Sequence, residues 1–418
     1  MTAEPILLGK VDYSEKAGKN CKMLLGDLNA DGRMEMVMIQ ADGEIDDRYV
    51  PHQLECVTAI DMNGNVLWQV GKPVENPGRF GSDFPAQVYD IDGDGKLEVL
   101  CVMNKKFKVI NGQTGEIKKE YDLPDNEAHD CILIANLTGS EYPQNIILKN
   151  RYKKIWAMDK DFNVMWEHEG RTGHFPYAYD IDGDGCDEIM AGYDMLDQDG
   201  SLLWDCNFLD DHADCLWFGD VNGDGKVEIA VGGSITVLFD TKGNEIWRHT
   251  DTKESQHIAL GKFLENEKGL QMAGLDRIIR GDRSGRGQDG MFLVSSEGKT
   301  IWKENREFGG WLTIVDTFRN WNGEGKDYIL GYRRGGGVNP TFYDGEMNAV
   351  ITFPEDGYVV HGDLFGRGKE DVIIYNPNTA FIYSGTYEDL SKTPSGKQLP
   401  QIKRLYTSTL YPGGEYHE

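Results

Sequence analysis

A chain of 418 residues with 39% hydrophobic content and nine tryptophans holds ample apolar material for a packed core. Its formal net charge of −27 excludes nucleic acid as a natural partner, because a phosphate backbone calls for a basic face. No apolar run reaches the roughly 18 residues that a membrane-crossing helix needs.

The N-terminal MTAEPILLGK lacks a basic stretch followed by an apolar one, so it does not read as a signal peptide. The seven cysteines (21, 56, 101, 131, 186, 206, 215) are odd in number and contain no CxxC pair. Reduced, mostly buried thiols and a cytoplasmic location are therefore expected.

One phrase organises the chain. Asp27–Glu35 (DLNADGRME) returns as Asp90–Glu98 (DIDGDGKLE), Asp180–Glu188 (DIDGDGCDE) and Asp220–Glu228 (DVNGDGKVE). Weaker copies start at Asn136, Lys262, Asn320 and Asp363, giving eight anchors spaced 63, 46, 44, 40, 42, 58 and 43 residues apart. A period near forty residues marks a repeat architecture.

The unit around Asp220 is the clearest. Cys215–Phe218 is an apolar strand, the acidic turn follows, and Val227–Val231 is a second strand. Ile235–Phe239, the turn Thr241-Lys-Gly-Asn and Glu245–His249 form a closing hairpin. Four short antiparallel strands per unit predict an all-β fold, a single β-propeller over residues 1–418. Eight blades are expected, beginning near 22, 85, 131, 176, 215, 257, 311 and 358; seven blades plus an irregular unit is the alternative. The last unit is one strand short, and either residues 5–11 or 401–407 could complete it. Trp68, Trp166, Trp204, Trp247 and Trp302 share one hairpin position, expected to pack between adjacent blades.

Two connections between second and third strands are long, residues 40–53 and 275–290. Loops of this length in a compact array are more often functional than filler.

The acidic turns place oxygens at alternate positions, with glycines that let the backbone curl around one point. Ca²⁺ is the cofactor expected there. The candidate ligands are Asp27, Asn29, Asp31 and Glu35; Asp90, Asp92, Asp94 and Glu98; Asp180, Asp182, Asp184 and Glu188; and Asp220, Asn222, Asp224 and Glu228. The turns could equally be capped by their own backbone N–H groups. The copies at Asn320 and Asp363 lack several oxygens and are expected to be dry. In either case the turns are structural.

In a propeller these turns share a face with the closing hairpins, and the remaining connections share the other face. On that other rim fall Arg48, His52, Arg79, His129, Arg151, Tyr152, His174, His212, His257, Arg277, Arg280, Trp311, Arg333 and Arg334. His361, on the last inner strand, is expected near the same mouth. A basic, aromatic rim on so acidic a chain suits an anionic small ligand. Uronate sugars fit this inventory. Cleavage by β-elimination needs a cation on the carboxylate, a base for the C5 proton and an acid for the O4 leaving group. Arginine supplies the first, and histidine and tyrosine the others. Trp311 and Tyr332 are placed to stack on sugar faces.

The DIDGDGKLEV phrase resembles the rhamnogalacturonan lyases of polysaccharide lyase family 11, which are eight-bladed Ca²⁺-binding propellers. The stretches TGHFPYAYDIDGDG (172–185), DHADCLWFGDVNGDG (211–225), SQHIALGKF (255–263) and GYRRGGGVNPTFYDG (331–345) look like compact relatives acting on L-rhamnose-α-1,4-D-glucuronate ends, some lyases and some α-L-rhamnosidases. The resemblance covers residues from about 20 to 385. It implies His174, His212 or His257 and Tyr152 as proton-transfer groups. It also implies Arg151, Arg277, Arg333 and Arg334 as carboxylate ligands, with Arg280, Trp311, Tyr332 and His361 as further substrate-binding candidates. His52 is the candidate if the reaction is a histidine-dependent hydrolysis. The partner expected is a uronate-containing oligosaccharide. A non-catalytic binding propeller and a quinone-dependent dehydrogenase are the competing classes.

Overall fold

The computed structural model describes residues 4–43, 50–279, 287–305, 313–334, 336–400 and 409–416. Among these, one helix of four residues, Ser14–Ala17, interrupts an all-strand chain. Eight sheets form, and their inner strands start at Lys22, Ala86, Cys131, Tyr177, Cys215, Ile258, Thr313 and Tyr358. Each holds four antiparallel strands, the blade of an eight-bladed β-propeller.

Burial explains the strand sequences. Lys22–Gly26, Cys131–Ala135 and Cys215–Gly219 are buried throughout, so they read as continuous rather than alternating apolar runs. The outer strands Ile117–Asp122 and Val164–Glu169 are largely exposed and carry charged residues.

The chain divides into two compact units. One holds Gly170–Tyr358 with the C-terminal residues from Tyr411, and the other holds Pro5–Glu169 with Val359–Leu410. In the second unit, the N-terminal strand Ile6–Asp12 pairs antiparallel with Thr379–Ser384, with Val11 opposite Ala380. It supplies the missing strand of the last blade, while residues 401–407 lie outside the described residues. In the first unit, the two-residue strand Gly414–Glu415 pairs in parallel with Cys215–Gly219, adding a fifth strand to that blade. Tyr416 anchors this tail by donating to Asp327 at 2.6 Å, under the Arg319 guanidinium.

The hairpin tryptophans pack on the following blade. Trp68 donates its indole N–H to Gly112 O at 2.6 Å, Trp204 to Thr241 O at 3.1 Å and Trp247 to Ser296 O at 2.9 Å. The neighbouring hairpin must present a glycine there. Gly243 has φ +78°, and a Cβ on it would lie 2.6 Å from the Trp204 ring. Gly243→Ala should cost about 1–3 kcal/mol through strain and overpacking, read from the urea midpoint of unfolding.

Candidate active site

Three successive blade links in the first unit each deliver one histidine to the start of an inner strand. His174 precedes Tyr177–Tyr179, His212 precedes Cys215–Gly219, and His257 sits directly before Ile258–Gly261. Backbone bonds fix these entries. His174 N donates to Ala213 O at 3.0 Å, and Asp214 N to Gly232 O at 2.8 Å. Leu275 N donates to His257 O at 2.8 Å. Gly173, at φ +59°, lets the His174 segment close on its neighbour, since an added Cβ would meet Ala213 O at 2.5 Å.

Tyr411, from the C-terminal tail, binds the group together. Its ring stacks on His174 at 3.7 Å between centroids and on His257 at 4.8 Å, both within 10° of parallel. Arg334 Nη1 donates to the Tyr411 hydroxyl at 3.1 Å. His212 meets His174 edge-on at 5.1 Å. Arg277 pairs with Glu254 at 3.1 Å, and Gln256 donates to the same carboxylate oxygen at 2.8 Å.

Electrostatics sets the protonation states. Burial holds the His257 imidazole well below its ordinary pKa, and Arg334, His174 and Arg277 push the same way. It is therefore neutral at pH 7, and neither buried ring nitrogen has a hydrogen-bond partner among the described residues. Each such atom costs about 1–3 kcal/mol, an expense that packing alone does not explain. Burial lifts the Asp214 carboxyl well above the usual range; Glu254 and Asp211 add to this, and Arg277 and Arg334 oppose it.

A different group occupies the second unit. Asp130 and Lys149 form a fully buried ion pair, and Arg151 Nη2 lies 2.9 Å from Asp130 Oδ1. That last contact is an ion pair, and Asp130 Oδ1 accepts no hydrogen bond among the described residues. Arg151 also donates to Ser82 Oγ, and the Tyr152 ring lies 5.9 Å from its guanidinium. His52 holds Asp42 Oδ1 at 2.7 Å through Nδ1, and its buried Nε2 has no hydrogen-bond partner among the described residues. Burial lowers the pKa of His129.

Of the residues read from the sequence as one rim, His174, His212, His257, Arg277 and Arg334 lie in the first unit, and His52, His129, Arg151 and Tyr152 in the second. Tyr332 is buried opposite Ile314, and Arg333 ends the same strand. His361 bonds Glu370 at 2.9 Å, beside the acidic turn of its own blade. Arg48, Arg280 and Trp311 lie outside the described residues. Tyr411, Asp214 and Glu254 are the site residues not singled out from sequence. Tyr411 stands outside every repeat, so no spacing marks it.

The acidic turns are built as their sequences suggest. Asp220 accepts from Asp224 N and Gly225 N, and Glu228 from Val221 N. Carboxylate oxygens converge within 4.8 Å of one another in three turns: Asp90, Asp92 and Asp94; Asp180, Asp182 and Glu188; and Asp220, Asp224 and Glu228. Several repeats carry a side-chain cation at the turn, Lys118 and Lys262 among them. Lys118 Nζ sits 2.6 Å from Asp92 and 2.9 Å from Glu98, and Lys262 Nζ donates to the carbonyls of Glu267 and Gly269. Burial raises Glu35 to about 8 and Glu188 to about 7.

An eight-bladed propeller that gathers histidine, arginine and tyrosine within its first unit defines the class of molecule, and comparison with known proteins narrows it. No protein-family profile matches the chain. Two curated relatives from Bacillus subtilis (strain 168) do, the rhamnogalacturonan exolyase YesX and the rhamnogalacturonan endolyase YesW. Each is 24% identical over 262 residues, covering 47% of this chain and 42% and 41% of theirs. The matched segment thus spans less than half the length of either. The solved structure of the exolyase YesX superposes over 99% of this chain and 80% of its own, with a TM-score of 0.68 at 17% identity. The Vibrio cholerae biofilm matrix protein Bap1 superposes over 99% of both chains at 0.66 and 12% identity. The fold is therefore common to lyases and to a matrix protein.

Proposed function

We propose that this protein is a carbohydrate lyase that cleaves rhamnose- and uronate-containing oligosaccharides by β-elimination. The observation that carries this reading is the buried, neutral His257 beside Arg334, Arg277 and Tyr411, in a chain similar to two rhamnogalacturonan lyases. In the proposed reaction, Arg334 and Arg277 neutralise the substrate carboxylate, which acidifies the C5 proton. His257 takes that proton, and the C–H electron pair becomes the C4–C5 double bond. The C4–O4 bond breaks, and Tyr411, with its hydroxyl held by Arg334, protonates the departing oxygen. Ultraviolet absorbance from the conjugated double bond tests the reading directly. A rise on uronate oligosaccharides is expected, and no rise on any of them would reject it.

A second reading rests on the Asp42–His52 pair, whose 2.7 Å bond orients the buried Nε2 as an acceptor. It assigns hydrolysis of rhamnose–glucuronate ends to His52. Rhamnose released without new absorbance would favour it. The unpaired thiols suit a reducing compartment, which supports a cytoplasmic site of action on imported oligosaccharides.

We further propose Ca²⁺ as a structural ion in the acidic turns, where converging carboxylates form an all-oxygen donor set suited to a hard cation. Asp180, Asp182 and Glu188, and Asp220, Asp224 and Glu228, would hold it. At the turn of Asp90–Glu98 the Lys118 ammonium competes with it. Lys118→Ala is expected to raise the number of calcium ions bound, counted by titration calorimetry. The pH dependence follows from the raised carboxyls. A folded-state pKa of about 8 for Glu35 and about 7 for Glu188, against an ordinary 4.5, favours folding below the ordinary value. That contribution is lost as pH rises through the folded values. In chelator, the melting temperature should fall between about pH 5 and pH 8, and Ca²⁺ should restore most at the alkaline end.

A further inference from the structure

We propose that His174, His212 and Asp214 form a binding site for a first-row divalent cation of the zinc class, distinct from the acidic turns. Their donor atoms lie within 4.8 Å of one another. Asp211 Oδ1 holds His212 Nδ1 at 2.7 Å, which places the proton on Nδ1 and leaves the Nε2 lone pair facing Asp214. His174 Nε2 faces the same oxygen. The separations from Asp214 Oδ1 are 3.6 Å to His174 Nε2 and 3.7 Å to His212 Nε2.

Those distances are too long for hydrogen bonds, which run to about 3.2 Å. They are close to the edges of a tetrahedron with bonds of about 2.0–2.2 Å, roughly 3.3–3.6 Å. Asp214 supplies the independent observation. It is 4% exposed, and its Oδ1 accepts no hydrogen bond among the described residues while pointing into the histidine pair. A buried acceptor between two imidazole nitrogens calls for a cation. Two nitrogens and one oxygen suit a borderline-soft ion better than Ca²⁺, which prefers oxygen alone. Three protein ligands leave one position open for an anionic oxygen. Tyr411, stacked on the His174 ring, fixes the plane of one ligand and joins this site to His257. That the open position takes a uronate carboxylate rests on the lyase reading above; the metal assignment does not.

The test is titration of the chelator-treated full chain with Zn²⁺, and with Co²⁺ followed by its visible spectrum, in excess Ca²⁺ so that the acidic turns are saturated. One zinc-class ion per chain is expected, with a cobalt spectrum of tetrahedral type. Asp214→Asn and His212→Ala should each weaken it roughly 100-fold or more, while Asp224→Asn in an acidic turn leaves it unchanged. Circular dichroism of each variant checks folding, and His212, partly exposed, is the variant that tolerates truncation best. Absence of saturable Zn²⁺ and Co²⁺ binding overturns the proposal. So does binding unaltered in a folded His212→Ala protein. Bound zinc without elimination activity would reject the lyase reading and leave the metal site standing. Elimination by a protein that binds no zinc-class ion would do the reverse.

Discussion

His257→Leu should lower turnover on uronate oligosaccharides by about 10²–10⁴-fold, the contribution of a positioned general base. It should do so without loss of stability. The native imidazole is fully buried and neutral, with two ring nitrogens that lack hydrogen-bond partners among the described residues. Replacing it with an apolar side chain of similar reach removes two desolvated polar atoms, each costing about 1–3 kcal/mol. The urea midpoint should hold or rise while activity vanishes. Such opposition of stability and activity is expected of a functional group and not of a packing residue. Unchanged turnover in a folded variant would remove His257 from the reaction.

Lys149→Ala should be among the most destabilising single changes in the chain, by about 3–5 kcal/mol. Among the described residues it leaves the fully buried Asp130 with Arg151 alone to balance it. Arg151→Ala should likewise act on stability more than on KM, because its guanidinium is already committed to Asp130 and Ser82. Denaturant unfolding alongside steady-state kinetics separates the two effects. A normal urea midpoint with a raised KM would return Arg151 to the substrate-binding role that its loop position suggests.

The propeller was legible because its physics repeats. Each blade needs an inner strand buried on both sides, a tight turn and a closing hairpin, so the same residue types recur at a fixed period. The tryptophan at 204 and the glycine at 243 belong to different repeats yet form one packing unit, and both are visible in the alignment of the chain with itself. The site was legible only in part. His174, His212 and His257 stand at equivalent links before inner strands, so sequence placed them together and the structure gathers them around Tyr411. Tyr411 arrives through a tail strand that obeys no repeat, and Asp214 is one more acid in a chain of 70 acidic residues. What distinguishes Asp214 is burial between two imidazoles, a property of three dimensions. Sequence grouped His52 and Arg151 with these histidines because the rule of alternate faces sorts residues by face alone.

The most direct test of the central claim is the fate of solvent oxygen. Incubation of a uronate-containing oligosaccharide with the protein in isotopically labelled water, followed by mass spectrometry, separates elimination from hydrolysis. The lyase account predicts an unsaturated product lighter by one water than its hydrolytic counterpart, with no solvent oxygen in either fragment. A saturated product carrying one solvent oxygen at the cleaved bond would contradict it.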